Sequence, residues 1–247
     1  MDVDRVKEIV GHVDSSGEPR IEIIEPARAT GRRLGVFASS FNPPTIAHVE
    51  LIRRAAETFS LDEMLALAGK SNADKVDYEC SLEDRLAMLM LALADEPRVS
   101  IGLSSRAFYV DMLDALERIY PRQTDLHFIV GFDTFERVLD LRGAYTRRYY
   151  RQFTSRIEAL QYLFARSSFI VASRGGARLD RVRLLVERES AVPPGRVLYI
   201  DFPADLGELS ATEVRERRRA GDSITGLVPA TVERFIESHG LYAKGFI

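Results

Sequence analysis

Thr45 and His48 stand three residues apart in the segment SSFNPPTIAH, which directly follows the apolar run LGVFA at 34–38. Residues at this spacing share one face of a helical turn, so the hydroxyl and the imidazole would point the same way. A helix start also offers unpaired amide groups and the positive end of its dipole, which attract phosphate. The pair could therefore hold phosphate oxygens and stabilise charge that develops on a departing group. An ordinary helix start, with Thr45 as N-cap and His48 half-buried, fits the same pattern.

A second candidate anion site lies in LSATEVRERRR at 209–219. Ser210 and Glu213 form a capping-box pattern, which predicts that a helix begins here. Arg215 follows close enough behind Ser210 to reach back toward the same helix start. Ser210, Thr212, Arg215 and the amides of that turn would then bind an anion. Helix initiation followed by a solvated basic face explains the same residues without a ligand.

Short apolar runs alternate with amphipathic stretches from residue 34 onward, which is typical of parallel strands covered by helices on both faces. The sequence therefore predicts an α/β fold, a doubly wound, mostly parallel Rossmann-like sheet with a C-terminal helical segment. If its first and last strands are neighbours, the two candidate helix starts meet on one polyphosphate. The predicted strands are LGVFA (34–38), EMLALAG (63–69), RVSIGL (98–103), LHFIVG (126–131), SFIVAS (168–173) and RVLYID (196–201).

The domain organisation follows from where this alternation begins. Residues 1–33 are expected to form an N-terminal extension made of a helix and one short strand, IEIIE at 21–25. Residues 34–247 are expected to form the main domain, including the C-terminal helices. The Tyr- and Arg-rich segment 142–166 is expected to be helical and to form a lid or an insertion.

Composition excludes several classes of protein. The chain of 247 residues has 46% hydrophobic and 29% charged residues, as globular domains do. Its net charge of -3 gives no overall attraction to nucleic acid or to an anionic membrane. Cys80 is the single cysteine, so an intrachain disulfide and a thiolate metal cluster are excluded. With no signal peptide pattern and no apolar run long enough to span a bilayer, we expect a cytoplasmic protein without nucleic-acid or membrane partners.

The motifs and their order resemble the nicotinamide/nicotinate mononucleotide adenylyltransferase family of the HxGH nucleotidylyltransferase superfamily. SSFNPPTIAH resembles the opening motif in the form with Thr in place of the first His. LSATEVRERRRAGDSITGLVPATVERFI resembles the closing ISSTxxR signature with its later Leu-Val-Pro. FIVGFDTFERV, FIVASRGG and AGKSNADKVDYECSLEDRLAMLMLAL resemble three segments between them, so that the matches extend over residues 34–242.

The resemblance implies an enzyme that transfers AMP from ATP to NMN or NaMN, giving NAD or deamido-NAD and pyrophosphate. ATP and a mononucleotide are thus the expected partners, and assembly into a homo-oligomer stays open. Mg²⁺ is expected to be held through the ATP phosphates and water, because no carboxylate cluster with ligand spacing stands out. The residues implied for catalysis are His48, Thr45 and Arg215. Those implied for ATP or phosphate binding are Ser40, Phe41, Lys75, Gly131, Asp133, Arg174, Ser210 and Thr212.

Three of these assignments have an alternative. Asp133 would accept hydrogen bonds from ribose hydroxyls, although GFD also fits a plain turn and helix cap. Arg174 would lie near the adenine or the phosphates, or be an exposed loop cation. Lys75 would be a mobile cation for phosphate, and Lys70 is its rival for that alignment.

The sequence also departs from the family pattern. Ser39 and Ala47 stand where the family has Gly, which leaves less room for close approach of a ligand to the backbone. No Trp is present to stack on a pyridine ring. Tyr145, Tyr149 or Tyr150 could provide a stacking face, or all three could pack a surface helix.

The missing Trp keeps the acceptor open. One alternative is a nucleotidylyltransferase with another phosphorylated acceptor, and a second is a non-catalytic nucleotide-binding module of the same fold. A class I aminoacyl-tRNA synthetase also has a motif like TIAH, but this chain is too short and lacks the Lys-rich second signature.

Overall fold

One sheet of seven strands organises the part of the chain that the computed structural model describes, residues 3–13, 17–70, 79–148, 152–174 and 176–244. Six strands are parallel, and the first pairs antiparallel at one edge, so the predicted doubly wound α/β fold is confirmed. The strand order is β1-β4-β3-β2-β5-β6-β7. The strands are β1 (Ile21–Glu25), β2 (Arg33–Ser39), β3 (Glu63–Gly69), β4 (Val99–Ser104), β5 (Asp125–Gly131), β6 (Ser167–Arg174) and β7 (Val197–Phe202).

Helices cover both faces of this sheet. The helices form where apolar residues recur at helical spacing and where a side chain caps the first turn. For example, the Ser81 hydroxyl accepts a hydrogen bond from Asp84 N at the start of the helix Leu82–Leu93. In the described part of the segment 142–166, which was predicted to be helical, there are two helices, Ala144–Arg148 and Arg156–Arg166. The helices are α1 (Val3–His12), α2 (Ile46–Thr58), α3 (Leu82–Leu93), α4 (Tyr109–Ile119), α5 (Phe132–Leu139), α6 (Ala144–Arg148), α7 (Arg156–Arg166), α8 (Gly176–Glu187), α9 (Ala204–Glu208), α10 (Ala211–Ala220) and α11 (Ala230–Ser238).

The two faces of the sheet bury separate apolar layers. Along β2, Val36 packs in the layer under α4, α5, α7 and α8, whereas its neighbour Phe37 packs in the layer under α2 and α3. In β5, Phe128 packs in the same layer as Val36, and Ile129 packs in the same layer as Phe37. Because side chains alternate between the faces and both faces are covered, the strands have continuous apolar sequences.

A third apolar cluster, here termed the C-terminal cluster, joins the end of the chain to α3. Thr231 of α11 also donates a hydrogen bond to the carbonyl of Leu91, at 3.0 Å. The last helices are therefore anchored on the side of the sheet that carries α2. The buried members of the C-terminal cluster are Cys80, Met88, Val214, Ile224, Val228, Val232, Ile236, Leu241 and Tyr242.

The N-terminal extension joins the same sheet. β1 pairs antiparallel with β4, and α1 packs against α3. Lys70, at the end of β3, donates hydrogen bonds from Nζ to the carbonyls of Val10 and Val13, at 2.7 and 2.5 Å. The ammonium group thereby satisfies carbonyls at the end of α1, where a positive charge is favourable.

The strand order reverses at β2. The chain moves from β2 to β3 and β4 on one side, and then crosses to β5, β6 and β7 on the other. The carboxyl ends of β2 and β5 thus flank the switch point, where doubly wound sheets open a crevice for ligands. β7 is not a neighbour of β2, so adjacency of the first and last strands of the main domain, one way in which the two helix starts could meet, is absent from this sheet.

We expect Gly35→Ala to destabilise the fold by about 1–3 kcal/mol, the usual range for overpacking a core. An added Cβ would overlap Met64 Sδ and Leu61 Cδ1 and would lie 3.0 Å from Ile129 Cδ1. Gly11→Ala is the matched control, because a Cβ there meets nothing within 4 Å and α1 gains about 0.5–1 kcal/mol in helix preference. Urea unfolding measures the free energy of unfolding of both variants. Equal stability of the two variants would contradict the packing described at β2.

Candidate functional site

A cleft of about 280 Å³ opens at the switch point. The ends of β2, β5, β6 and β7 and the first turns of α2 and α5 form its walls. It brings together four of the residues singled out in the sequence, Thr45, His48, Gly131 and Asp133. Polar groups that converge in one concave site between elements are the usual setting for ligand binding.

The His48 imidazole is held at its Nδ1 by the backbone of Thr45. Thr45 N donates to His48 Nδ1 at 2.9 Å, and Thr45 Oγ1 lies 2.7 Å from the same nitrogen. A backbone N–H can only donate, so Nδ1 must be the unprotonated nitrogen. The ring proton therefore sits on Nε2, which lies 3.4 Å from the Ser39 hydroxyl at the cleft wall.

Burial keeps this imidazole neutral. It lowers the pKa of His48 from 6.5 to about 4, and the rings of Phe37 and Phe41 lie 5.8 and 5.4 Å from the imidazole, centre to centre. At neutral pH His48 is thus an N–H donor without charge. Thr45 is the N-cap of α2 and His48 is half-buried, as the ordinary-helix interpretation predicted, and both face the cleft.

The start of α2 offers fewer amide donors than expected. Thr45 N is bonded to His48, and Ile46 N donates to the carbonyl of Leu227 at 3.1 Å. The prediction of unpaired amides is therefore wrong for these two residues. The Leu227 contact also ties the closing Leu-Val-Pro segment directly to the opening motif.

The loop between β2 and α2 is held from behind by buried arginines. Arg85, which is 2% exposed, donates to the Ser40 carbonyl at 2.9 Å. Arg215 donates from Nη1 to the Asn42 carbonyl at 2.6 Å. The N–H and C=O of a trans peptide point in opposite directions, so the N–H of Phe41 points away from Arg85. Phe41 itself has a φ of 45° and a fully buried ring.

Arg215 joins the second candidate site to this loop. Its Nη2 lies 3.3 Å from Thr212 Oγ1, and its Nε lies 3.6 Å from Glu79. The predicted reach of Arg215 back toward the start of α10 is thus present. Its guanidinium also binds the loop after β2, which brings the two helix starts together even though β2 and β7 are not neighbours.

Ser210 and Thr212 lie at the exposed start of α10. The Ser210 hydroxyl accepts a hydrogen bond from Glu213 N at 3.1 Å, as the capping pattern predicted. Neither side chain lines the switch-point cleft, although Leu209, directly before them, does. The start of α10 therefore lies at the rim of the cleft.

The remaining assigned residues have different outcomes. Gly131 is the N-cap of α5, so Asp133 is not the helix cap; it lies exposed in the first turn and lines the cleft. Arg174 ends β6, and its side chain lies outside the described residues, as does all of Lys75. Lys70 binds the end of α1, which excludes it from the cleft in this arrangement.

Of the three tyrosines considered for ring stacking, the structure describes Tyr145, and its position favours the packing interpretation. Tyr145 lies 5.9 Å from Phe108, centre to centre, in a small apolar cluster away from the cleft lining. Tyr149 and Tyr150 lie outside the described residues. The structure thus assigns no stacking face to Tyr145.

Sequence reasoning missed several residues that shape the site. Tyr109, Thr134 and Arg137 line the cleft. Arg137 lies one helical turn after Asp133, so a correct prediction of α5 would have found it by its spacing. Tyr242 donates to Asn42 from the far end of the chain, at 2.6 Å. No local pattern signals that contact.

Among the described residues, no group of three or more His, Cys, Asp or Glu side chains is placed to hold a metal ion. None of the described helices combines the length and apolar character required to cross a membrane.

The cytidylyltransferase-like family model matches residues 36–217. A protein of Salinibacter ruber named "Probable nicotinate-nucleotide adenylyltransferase" is 30% identical over 216 residues, covering 85% of this chain and 97% of that protein. Proteins with the same name from Geobacter sulfurreducens and Thermus thermophilus are each 29% identical, covering 85% of this chain and 98% and 99% of their own lengths.

Solved structures share the fold at low sequence identity. The nicotinic acid mononucleotide adenylyltransferase of Plasmodium falciparum, complexed with NaAD, superposes with a TM-score of 0.63 at 16% identity. It covers 86% of this chain and 98% of its own. The same enzyme complexed with APC gives a TM-score of 0.60 at 15% identity.

We expect His48 to stay neutral, with its proton on Nε2, from pH 8 down to about pH 5, since its native pKa is about 4. The ring nitrogen chemical shifts in NMR spectra report both the charge and the tautomer. The unfolded chain takes up this proton near pH 6.5, before the native one does, so stability should fall as the pH drops from 6.5 toward 4. This part of the pH dependence should vanish in His48→Gln. A charged imidazole at pH 6 would contradict the structure of the site.

Proposed function

The chain belongs to the cytidylyltransferase-like family and, within it, to the nicotinate-nucleotide adenylyltransferases, and we propose that it transfers the adenylyl group of ATP to nicotinate mononucleotide. The products are the deamido form of NAD and pyrophosphate. The observation that carries the proposal is the neutral Nε2–H donor of His48, fixed at a helix start in a cleft beside Asp133. Relatives with this name favour nicotinate over the other acceptors that the sequence left open.

The reaction needs no covalent intermediate on the protein. The 5′-phosphate of the mononucleotide attacks the α-phosphorus of ATP in line, a P–O bond forms, and the bond to the pyrophosphate oxygen breaks. The protein must align two anions and stabilise the departing charge. Alignment of well-oriented reactants can contribute about 7–11 kcal/mol to catalysis.

The geometry suits a neutral hydrogen-bond donor that stabilises the departing charge. His48 would donate from Nε2 to a triphosphate oxygen in place of its long contact to Ser39, and Thr45 would keep the ring in that orientation. The bond from Thr45 N already exists before a ligand binds, so no reorganisation is needed when charge develops. A neutral imidazole also costs less to bury than a cation would.

The other assigned residues complete the proposed site. The N–H of Phe41 would meet the phosphate of the acceptor, and Asp133 would accept from ribose hydroxyls. Ser210 and Thr212 would lie on the β- and γ-phosphates at the rim of the cleft, and Arg215, which binds the Asn42 carbonyl, would act on them from behind the loop. At Gly131 the space beside the backbone is open, since a Cβ built there would meet nothing within 4 Å. The adenosine would therefore be able to approach the backbone closely.

Mg²⁺ would enter with the triphosphate. Asp133 is the only carboxylate among the described residues that line the cleft, which fits an ion held mainly by phosphate oxygens and water. Bound in this way, the ion would neutralise charge on the phosphates. The described side chains of the chain then have to bind and orient the substrates.

We expect the protein to release pyrophosphate when incubated with ATP, Mg²⁺ and nicotinate mononucleotide. A coupled pyrophosphate assay, with product mass as confirmation, tests this over a panel that includes nicotinamide mononucleotide, a phosphopantetheine and a sugar phosphate. Release with another acceptor alone would move the proposal to that substrate. Thermal stabilisation by ATP without any pyrophosphate release would identify a binding module instead.

We expect His48→Ala to lower kcat by about 10²–10³-fold, the usual loss for one such donor. His48→Gln should retain more activity than His48→Ala, because its amide can donate near the position of Nε2. His48→Lys, which supplies charge without the planar donor, should not. A higher kcat for the Lys variant than for the Gln variant would show that charge is what the site requires.

A further inference from the structure

Asn42 is held at two atoms by buried side chains from the last third of the chain. Its carbonyl accepts from Arg215 Nη1 at 2.6 Å, and its side-chain Oδ1 accepts from the Tyr242 hydroxyl at 2.6 Å. Asn42 is 5% exposed and Tyr242 is 2% exposed. Hydrogen bonds shielded from water in this way are stronger restraints than exposed ones.

Tyr242 reaches Asn42 because its ring is fixed in the C-terminal cluster. Its backbone has a φ of 59°, a conformation that non-glycine residues adopt only where the surroundings impose it. Burial, together with the nearby Cys80 thiol, raises the pKa of the phenol above its ordinary value. The hydroxyl therefore keeps its proton and remains a donor to Asn42 at all physiological pH values.

Asn42 lies in the loop between β2 and α2, and this is the loop proposed to bind phosphate. Ser40 is bound by Arg85 one residue before Phe41, and Asn42 is bound one residue after it. These contacts set the direction of the Phe41 N–H and fix where the chain enters α2. Three residues further on, Thr45 sets the orientation of His48.

We propose that Tyr242 is a positioning residue of the adenylyl-transfer site, which acts through Asn42 on the phosphate-binding loop and the start of α2. The inference rests on the function proposed above. Tyr242 does not line the cleft. Its ring fills the C-terminal cluster, whereas its hydroxyl restrains the loop, so the two roles can be separated by removing one oxygen.

Tyr242→Phe tests this separation. We expect kcat to fall about 10-fold or more, because a small misplacement of reacting groups is costly, while the KM for ATP changes less than threefold. Tyr199→Phe is the matched control, since Tyr199 is a half-buried tyrosine of β7 that packs under Arg183, outside the cleft lining. Thermal unfolding reports the folded fraction of each variant. Unchanged kcat in Tyr242→Phe would overturn the inference.

A double-mutant cycle with Asn42→Ala tests the route of the effect. If Tyr242 acts through Asn42, the double variant is no slower than the slower single variant, whereas independent effects multiply. Multiplied losses would overturn the inference even if each variant is slow. A wild-type chain that releases no pyrophosphate with any acceptor overturns the proposed function and this inference with it. An active wild type with a fully active Tyr242→Phe overturns the inference alone.

Discussion

The hydrogen bond from Arg215 to the carbonyl of Asn42 joins segments of the chain that lie 173 residues apart. A buried guanidinium is stabilised by partners for its donors and for its charge. Here Nη1 binds the loop carbonyl and Nη2 lies near Thr212, whereas Nε makes no hydrogen bond and lies 3.6 Å from the Glu79 carboxylate, which balances the charge. The same contact holds a loop in which Phe41 adopts a left-handed backbone. The loop carbonyl thus gives Arg215 a partner, and Arg215 in turn holds the loop. The geometry of the site therefore depends on both segments of the chain.

This arrangement gives the proposed polyphosphate site nearby positive charge although its histidine is neutral. The two arginines, Arg85 and Arg215, lie behind the loop and bind its carbonyls. Their charge acts on the cleft through the peptide groups of the loop, so the cations need not move when a ligand arrives. Donors that are fixed before binding stabilise developing charge without a cost of reorganisation. His48 adds a donor whose direction is set by Thr45 rather than by its own charge.

Most of the fold could be predicted from the sequence because its signals are local. The apolar runs gave the strands to within a residue or two, and IEIIE gave β1. Helix α5 has a weak local signal, because it follows β5 without a break and its N-cap is Gly131 rather than a Ser, Thr, Asp or Asn. Helix α8 has a weak local signal too, because Gly175 and Gly176 precede an Arg-rich stretch without a clear apolar face. The order of the strands depends on long-range pairing, for which the sequence carries no local signal.

The site shows the same division between local and distant information. The spacing of Thr45 and His48 predicted their shared face, and the two residues are bonded to each other, but the contacts that hold this start of α2 come from far along the chain. Leu227, within the closing Leu-Val-Pro, accepts from Ile46 N, and Val228 packs in the C-terminal cluster beside Tyr242. The closing signature therefore braces the opening motif from behind as well as supplying Arg215. That bracing gives a physical reason why the two motifs are informative as a pair, since contacts between them hold both helix starts.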